Sequence, residues 1–197
     1  MNTANGSVIG IGFNLGSDSH SWCSGISSDQ YVTVTISNLK VVADMGLNVF
    51  NSYSAKYFEE NCKGVVLSPE MLLSEAVKIN SSLPKGIISY GRLPLMITRN
   101  CPVKNGKTCS ECKRQSSITD RKGVEFPIRC KNGFAELLNS RVIWLADRLD
   151  ELKGIDFQLL CFTDEEPSVV DKVIKAYKDK KAPLCDYTRG LYFRGVE

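Results

Sequence analysis

The chain has 197 residues, 43% of them hydrophobic and 24% charged, with a formal net charge of +3. Those proportions are those of a soluble globular protein with one real core. No apolar run approaches a membrane span, and a charge this small does not by itself diagnose a nucleic-acid binder.

Residues 1–40 differ in character from the remainder of the chain. Segments 7–13 and 31–36 (YVTVTI) predict strands, the second being β-branched and apolar. Between them, GSDSHSWCSGISSDQ is turn and loop chemistry. Gly10, Gly12 and Gly16 have GxGxxxG spacing with no amphipathic helix after them, a weak dinucleotide-loop signal. The opening MNTANGSVIGIGFNLG has neither a basic n-region nor a continuous apolar stretch, so a cytoplasmic chain is expected.

From Lys40 the pattern alternates. KVVAD and LNVF predict strand, SYSAKYFEEN a short helix, and GVVLS a buried-type strand. Pro69 opens a predicted helix, PEMLLSEAVKIN, with apolar residues at helical spacing. KGIISYG is the next strand, and a cysteine-rich segment comes after it. RVIWLA then predicts a strand, DRLDELKG a short helix closed by Gly154, and FQLLCFT a strand. Pro167 starts the last helix. Strands apolar on both faces, separated by helices, argue for a parallel sheet with helices outside. About five strand–helix units can be counted, short of the eight of a closed barrel.

Four of the eight cysteines, Cys101, Cys109, Cys112 and Cys130, fall in one segment with the spacing C-x7-C-x2-C-x17-C. Cys109 and Cys112 are close enough in sequence for both thiolates to hold one metal. Pro102, Gly106, Lys107 and Gly123 suit a loop wrapped around something compact. Four soft thiolates suit a structural zinc or an iron–sulfur cluster, and spacing leaves both open. Disulfides are disfavoured, because nothing suggests secretion. Residues 99–131 hold nine basic and three acidic residues, a net +6 against +3 for the whole chain.

The same stretch carries a resemblance. YGRLPLMITRNCPVK, the C-x2-C pair, ITDRKGVEFPIRC and LLNS together resemble the C-terminal part of peptidase family U-32, the collagenase-like proteins. DMGLNVFNS, LSPE and YTRGLYFRG extend the likeness over roughly three quarters of the chain. The family's His-Gly before the first cysteine is replaced by Tyr90-Gly91-Arg92.

The resemblance implies a (β/α) TIM-type barrel. Residues 41–197 would be its C-terminal half, with an inserted cysteine-rich loop over 101–130, and residues 1–40 a poorly matched N-terminal segment. An N-terminal barrel half or a second subunit is then an expected partner. Carried over by position, Cys101, Cys109, Cys112 and Cys130 would ligate an iron–sulfur cluster of the 4Fe–4S kind, with zinc as the alternative. Relatives of this type hydroxylate bases in transfer or ribosomal RNA, and others hydroxylate quinones without oxygen. The resemblance therefore implies RNA-base hydroxylation with RNA as partner. A collagenase-like peptidase and a non-catalytic zinc-stapled interaction module are the alternatives.

Barrel active sites lie at the C-terminal ends of the strands. Polar residues recur there: Asn48 and Asn51, Ser68 and Glu70, Tyr90 and Arg92, Asp147 and Arg148, Glu165 and Glu166. The candidate substrate-binding set is Asn48, Glu70, Tyr90, Arg92, Asp120 and Arg121, and no residue is singled out as catalytic. Arg92 leads, since a guanidinium can clamp a carboxylate or phosphate at two points. Each has a structural alternative: Glu70 at a helix N-terminus, Asp147 as an N-cap, Asn48 and Asn51 on loop backbone, and Asp120 with Arg121 as an ion pair. Protease chemistry has little to stand on. The one histidine is His20, and neither HExxH nor GxSxG occurs. Cys23, Cys62, Cys161 and Cys185 read as buried small residues or incidental thiols.

Overall fold

The computed structural model describes residues 8–12, 42–103, 116–131, 134–163 and 165–194. The expected strand 31–36, Gly16, His20, Cys23, Cys109 and Cys112 lie outside the described residues.

The first half builds strand and helix alternately: β1 Val8–Gly12, β2 Val42–Ala43, α1 Ser52–Tyr57, β3 Gly64–Val66, α2 Leu73–Ala76 and β4 Lys85–Gly91. Helix α1 starts where Asn51 and Ser54 form a capping box, Asn51 Oδ1 accepting from Ser54 N and Ser54 Oγ from Asn51 N. Asn51 thus serves backbone, as the cap of a helix where the sequence reading has it on a loop. Helix α2 is much shorter than the periodicity of PEMLLSEAVKIN predicts. The Lys85 ammonium explains its end: it donates to the carbonyls of Val77 and Ile79 at 3.0 and 2.8 Å. Those carbonyls are thereby satisfied without another helical turn.

Four strands come after β4: β5 Pro94–Thr98, β6 Ser116–Thr119, β7 Glu125–Lys131 and β8 Phe134–Leu138. They form a separate antiparallel sheet in the order β5-β8-β7-β6. The parts of the cysteine segment that are described are therefore largely strand, where the sequence predicts a loop. The β6–β7 turn explains how. Asp120 Oδ1 accepts from Lys122 N and Val124 N at 2.7 and 2.9 Å, and Gly123 takes a positive φ of 79°.

The chain returns through β9 Val142–Trp144, a short 3-10 segment Ala146–Glu151, β10 Phe157–Cys161, α3 Pro167–Lys178 and β11 Tyr187–Thr188. The main sheet runs β1-β10-β4-β3-β2 with every neighbour parallel. β9 instead pairs antiparallel with the end of β4, Tyr90 opposite Trp144 and Gly91 opposite Ile143. Its direction results from the excursion: β5 continues outward from β4, β8 comes back beside β5, and β9 continues that return.

Strand β4 is buried from Gly86 to Gly91, as a central strand covered on both faces must be. One apolar cluster gathers Val65, Leu67, Ile87, Ile88, Ile143, Leu145 and Tyr192. A second gathers Tyr90, Trp144, Leu160 and Phe162 under Val173, Ala176 and Tyr177 of α3. Among the described residues no helix is long and apolar enough to cross a membrane.

Candidate functional site

The register of the small sheet decides where the cysteines sit. Thr98 of β5 and Cys130 of β7 lie opposite Ala135 of β8, one on each side. Two inter-strand spacings put Thr98 and Cys130 about 10 Å apart. Directly opposed residues share a sheet face, so Thr98, Ala135 and Cys130 are on one face. Cys101 comes three residues after Thr98, and both it and Cys130 are half-buried. Ser116, where β6 begins, pairs with Ile128, two residues from Cys130. Ser116, which follows the stretch carrying Cys109 and Cys112, thus begins β6 on the side toward Cys130.

That end is remote from the main sheet. Pro94 pairs with Leu138 at the near end of the small sheet, and Thr98 lies four residues further out. At strand rise this is about 14 Å along β5. The β6–β7 turn folds back toward the near end, because Glu125 precedes Ile128, which pairs with Leu137. Asp120 and Arg121 therefore sit at the opposite end from Cys130, about 17 Å away along β7. Both are exposed, and the Asp120 carboxylate is engaged by amides of its own turn.

Tyr90 is at the C-terminal end of β4 and is 2% exposed. Its hydroxyl donates to Glu165 Oε1 at 3.1 Å, and Glu165 Oε2 accepts from Thr163 N at 2.6 Å. The ring packs among Phe162, Trp144 and Tyr177 at centroid distances of 5.0, 5.9 and 6.4 Å. Burial, and after it the charge of Glu165, push the phenol far above its ordinary range. Tyr90 and Glu165 therefore form a neutral-donor to carboxylate pair bridging the ends of β4 and β10. Its sequence signal is the recurrence of polar residues just after apolar strands.

Arg92 lies on main-chain oxygens: its Nη1 donates to Asn139 O at 2.9 Å and also to Ser140 O. Its charge acts on Cys185 and lowers that thiol's pKa, but burial outweighs it and the thiol is raised. Asn48 and Glu70 stand apart from this cluster's hydrogen bonds. Asn48 is exposed and closes the short 3-10 turn Met45–Leu47 in the left-handed region, at φ 48°. Glu70 is exposed, its N–H donates to Ser68 Oγ at 3.4 Å, and it precedes α2 by three residues.

Asp147 is not the N-cap of the 3-10 segment, a position that Leu145 holds without a side-chain bond. Arg189 Nη1 and Nη2 donate to the two Asp147 oxygens at 2.6 and 2.7 Å. Arg189 has no signal in composition or periodicity, since it lies 42 residues away. Two shallow clefts, one lined by Ser52, Lys56 and Asn80 and one by Leu72, Val77 and Phe193, include none of the candidate residues.

The chain matches no family model, no curated protein and no solved structure.

Proposed function

We propose that this chain belongs to an iron–sulfur-dependent enzyme of the collagenase-like type that hydroxylates bases in transfer or ribosomal RNA, built on a (β/α) barrel. The observation that supports it is the backbone register of the small sheet. Cys130 lies at the end of it where β5 stops at Thr98, three residues before Cys101, and Ser116, which follows the stretch bearing Cys109 and Cys112, begins β6 toward that end. Four thiolates from one contiguous segment are a donor set that suits a 4Fe–4S cluster. When bound, such a cluster would supply one-electron redox chemistry. The chain's own residues would bind and orient substrate: the net +6 of residues 99–131 suits phosphate, and the Tyr90–Glu165 pair holds the strand ends in register. Among the described residues β1 and β2 are the outer strands of the main sheet's parallel run, and an N-terminal barrel part or a second subunit would pair there.

A structural zinc is the second reading. It draws on the same thiolates, and the distance of about 14 Å between the cysteine end and the near end of the sheet asks nothing of a staple. Metal analysis separates the two. Anaerobically prepared protein is expected to be brown and to contain iron and acid-labile sulfide. Cys109→Ser or Cys112→Ser should remove both, while Cys62→Ser and Cys185→Ser should not. Zinc alone selects the staple, and colour that survives loss of Cys109 overturns the ligand assignment.

A further inference from the structure

We infer that Arg92 is the positioning residue of the cysteine-bearing sheet, clamping the neck that attaches it to the main sheet. This rests on the proposed function only for what that sheet carries. The attachment itself is a matter of backbone pairing. Gly91 pairs with Ile143 on the near side of the neck, and Pro94 with Leu138 on the far side. Between those pairs, Arg92 and Leu93 face Asn139, Ser140, Arg141 and Val142.

Two residues against four cannot keep a regular ladder, so the returning strand bulges. One main-chain bond crosses the gap, from Asn139 N to Leu93 O at 2.8 Å. The carbonyls of Asn139 and Ser140 both turn to the Arg92 guanidinium instead. A single nitrogen thereby ties the outgoing arm to both bulged peptides of the returning one. The half-buried setting of Arg92 strengthens such charge-assisted bonds.

The position has leverage. The cysteine end lies about 14 Å beyond the neck, so a rotation of about 20° there would displace it by about 5 Å. Whatever the thiolates hold would move relative to Tyr90 and Glu165 at the strand ends. Arg92 thus acts through the sheet it orients.

The test is single-molecule energy transfer between dyes carried by non-natural side chains at Ile97, exposed beside Thr98 at the cysteine end, and at Lys172, exposed on α3 across the neck. The unsubstituted protein should give one narrow distribution. Arg92→Met keeps a stem of similar reach without the donors and should broaden or split it. Arg92→Lys should restore a single peak, because one ammonium can reach both carbonyls. An Arg92→Met protein with the original distribution overturns the clamp. Should that variant fail to fold, a broad distribution in Arg92→Lys overturns it equally. Iron and sulfide are measured on the same samples. An iron-free protein with a narrow distribution removes the cluster reading and leaves the clamp standing. An iron-containing Arg92→Met protein with an unchanged distribution does the reverse.

Discussion

Arg189 grips Asp147 through two parallel hydrogen bonds of 2.6 and 2.7 Å, and the same guanidinium donates to Trp144 O at 2.5 Å. The pair joins the C-terminal segment to the turn after β9, where Arg189 also lies over the Tyr187 ring at 4.6 Å. Bidentate geometry sets it apart from ordinary surface ion pairs. Three residues on, Tyr192 is 1% exposed and its carbonyl accepts from Leu73 N at 2.8 Å. The C-terminal segment is thereby fixed at two points.

Removing the charge at Asp147 should cost roughly 1.5 kcal/mol. That is the low end for a charged hydrogen bond, because the side chains keep 20% and 27% of their surface in water. The Arg189 hydrogen bonds hold the Asp147 carboxyl below its usual range. A depressed carboxyl stabilises the fold above its unfolded pKa, and that stability is lost as pH falls through the folded value. Urea titrations should therefore show wild type above Asp147→Asn at neutral pH. The gap should close as pH drops below about 4. A gap that is constant down to pH 2 would contradict the ion pair.

A second expectation concerns Gly86 and Phe157, which are direct partners across β4 and β10. A Cβ at Gly86 would lie 2.2 Å from Phe157 Cε2 and 2.4 Å from Cζ. The ring also reaches Gly64, where a Cβ would be 3.3 Å from Cε1. Two glycines on neighbouring strands thus make the floor on which Phe157 lies. Gly86→Ala should destabilise by about 1–3 kcal/mol, the usual penalty of overpacking. In a Phe157→Leu background the same change should cost less, with a coupling above about 0.5 kcal/mol. Strict additivity of the two changes would refute this packing.

Local interactions are legible in the sequence, and distant ones are not. GVV and KGIISYG read as buried strands because both their faces are covered, which leaves no polar period to interrupt the run. EFPIRCK, by contrast, reads as part of a loop. Its charges at Glu125 and Arg129 look solvated until Glu136 is known to lie opposite Arg129, paired at 2.7 Å from Nε. Periodicity overextends helix α2 because its terminator, Lys85, comes from the next strand. The position of β9 is readable and its direction is not, since direction depends on β5 and β8 carrying the chain out and back. Among the candidate site residues, the strand-end rule places Tyr90 and Arg92. It cannot foresee that their partners are Glu165 and two carbonyls.

Alkaline unfolding is a third test. Tyr90, Tyr177 and Tyr192 all have phenols raised by burial, and the charge of Glu165 adds to it at Tyr90. Raised folded values mean that the folded state holds its protons where the unfolded chain has released them. Stability should then be intact below the unfolded tyrosine pKa of about 10 and decline as pH rises beyond it. Tyr90→Phe should lose about 1 kcal/mol at neutral pH, from the missing bond to Glu165. It should also decline less steeply above pH 10 than wild type, having one phenol fewer to protect. A melting temperature that is flat from pH 9 to 11 would rule this out.

The last expectation addresses RNA, and it can fail cleanly. Residues 99–131 carry net +6 while the rest of the chain is net negative, so phosphate should be met there if anywhere. Lys104, Lys107 and Lys113 lie outside the described residues but inside that segment, on either side of Cys109 and Cys112. Binding to single-stranded RNA through such contacts releases counterions and weakens linearly in log affinity against log salt, by about 0.7 per contact. Reversing all three lysines should lower affinity and flatten that slope by about 2. Reversal at Lys172, Lys175 and Lys178, exposed on α3 behind the main sheet, should leave the slope unchanged. Equal effects from the two triplets would mean that only net charge matters and that the cysteine segment is no interface. If cellular RNA does not bind even at low salt, the RNA reading loses its physical support. A small-molecule or peptide substrate would then be preferred for whatever the four thiolates hold.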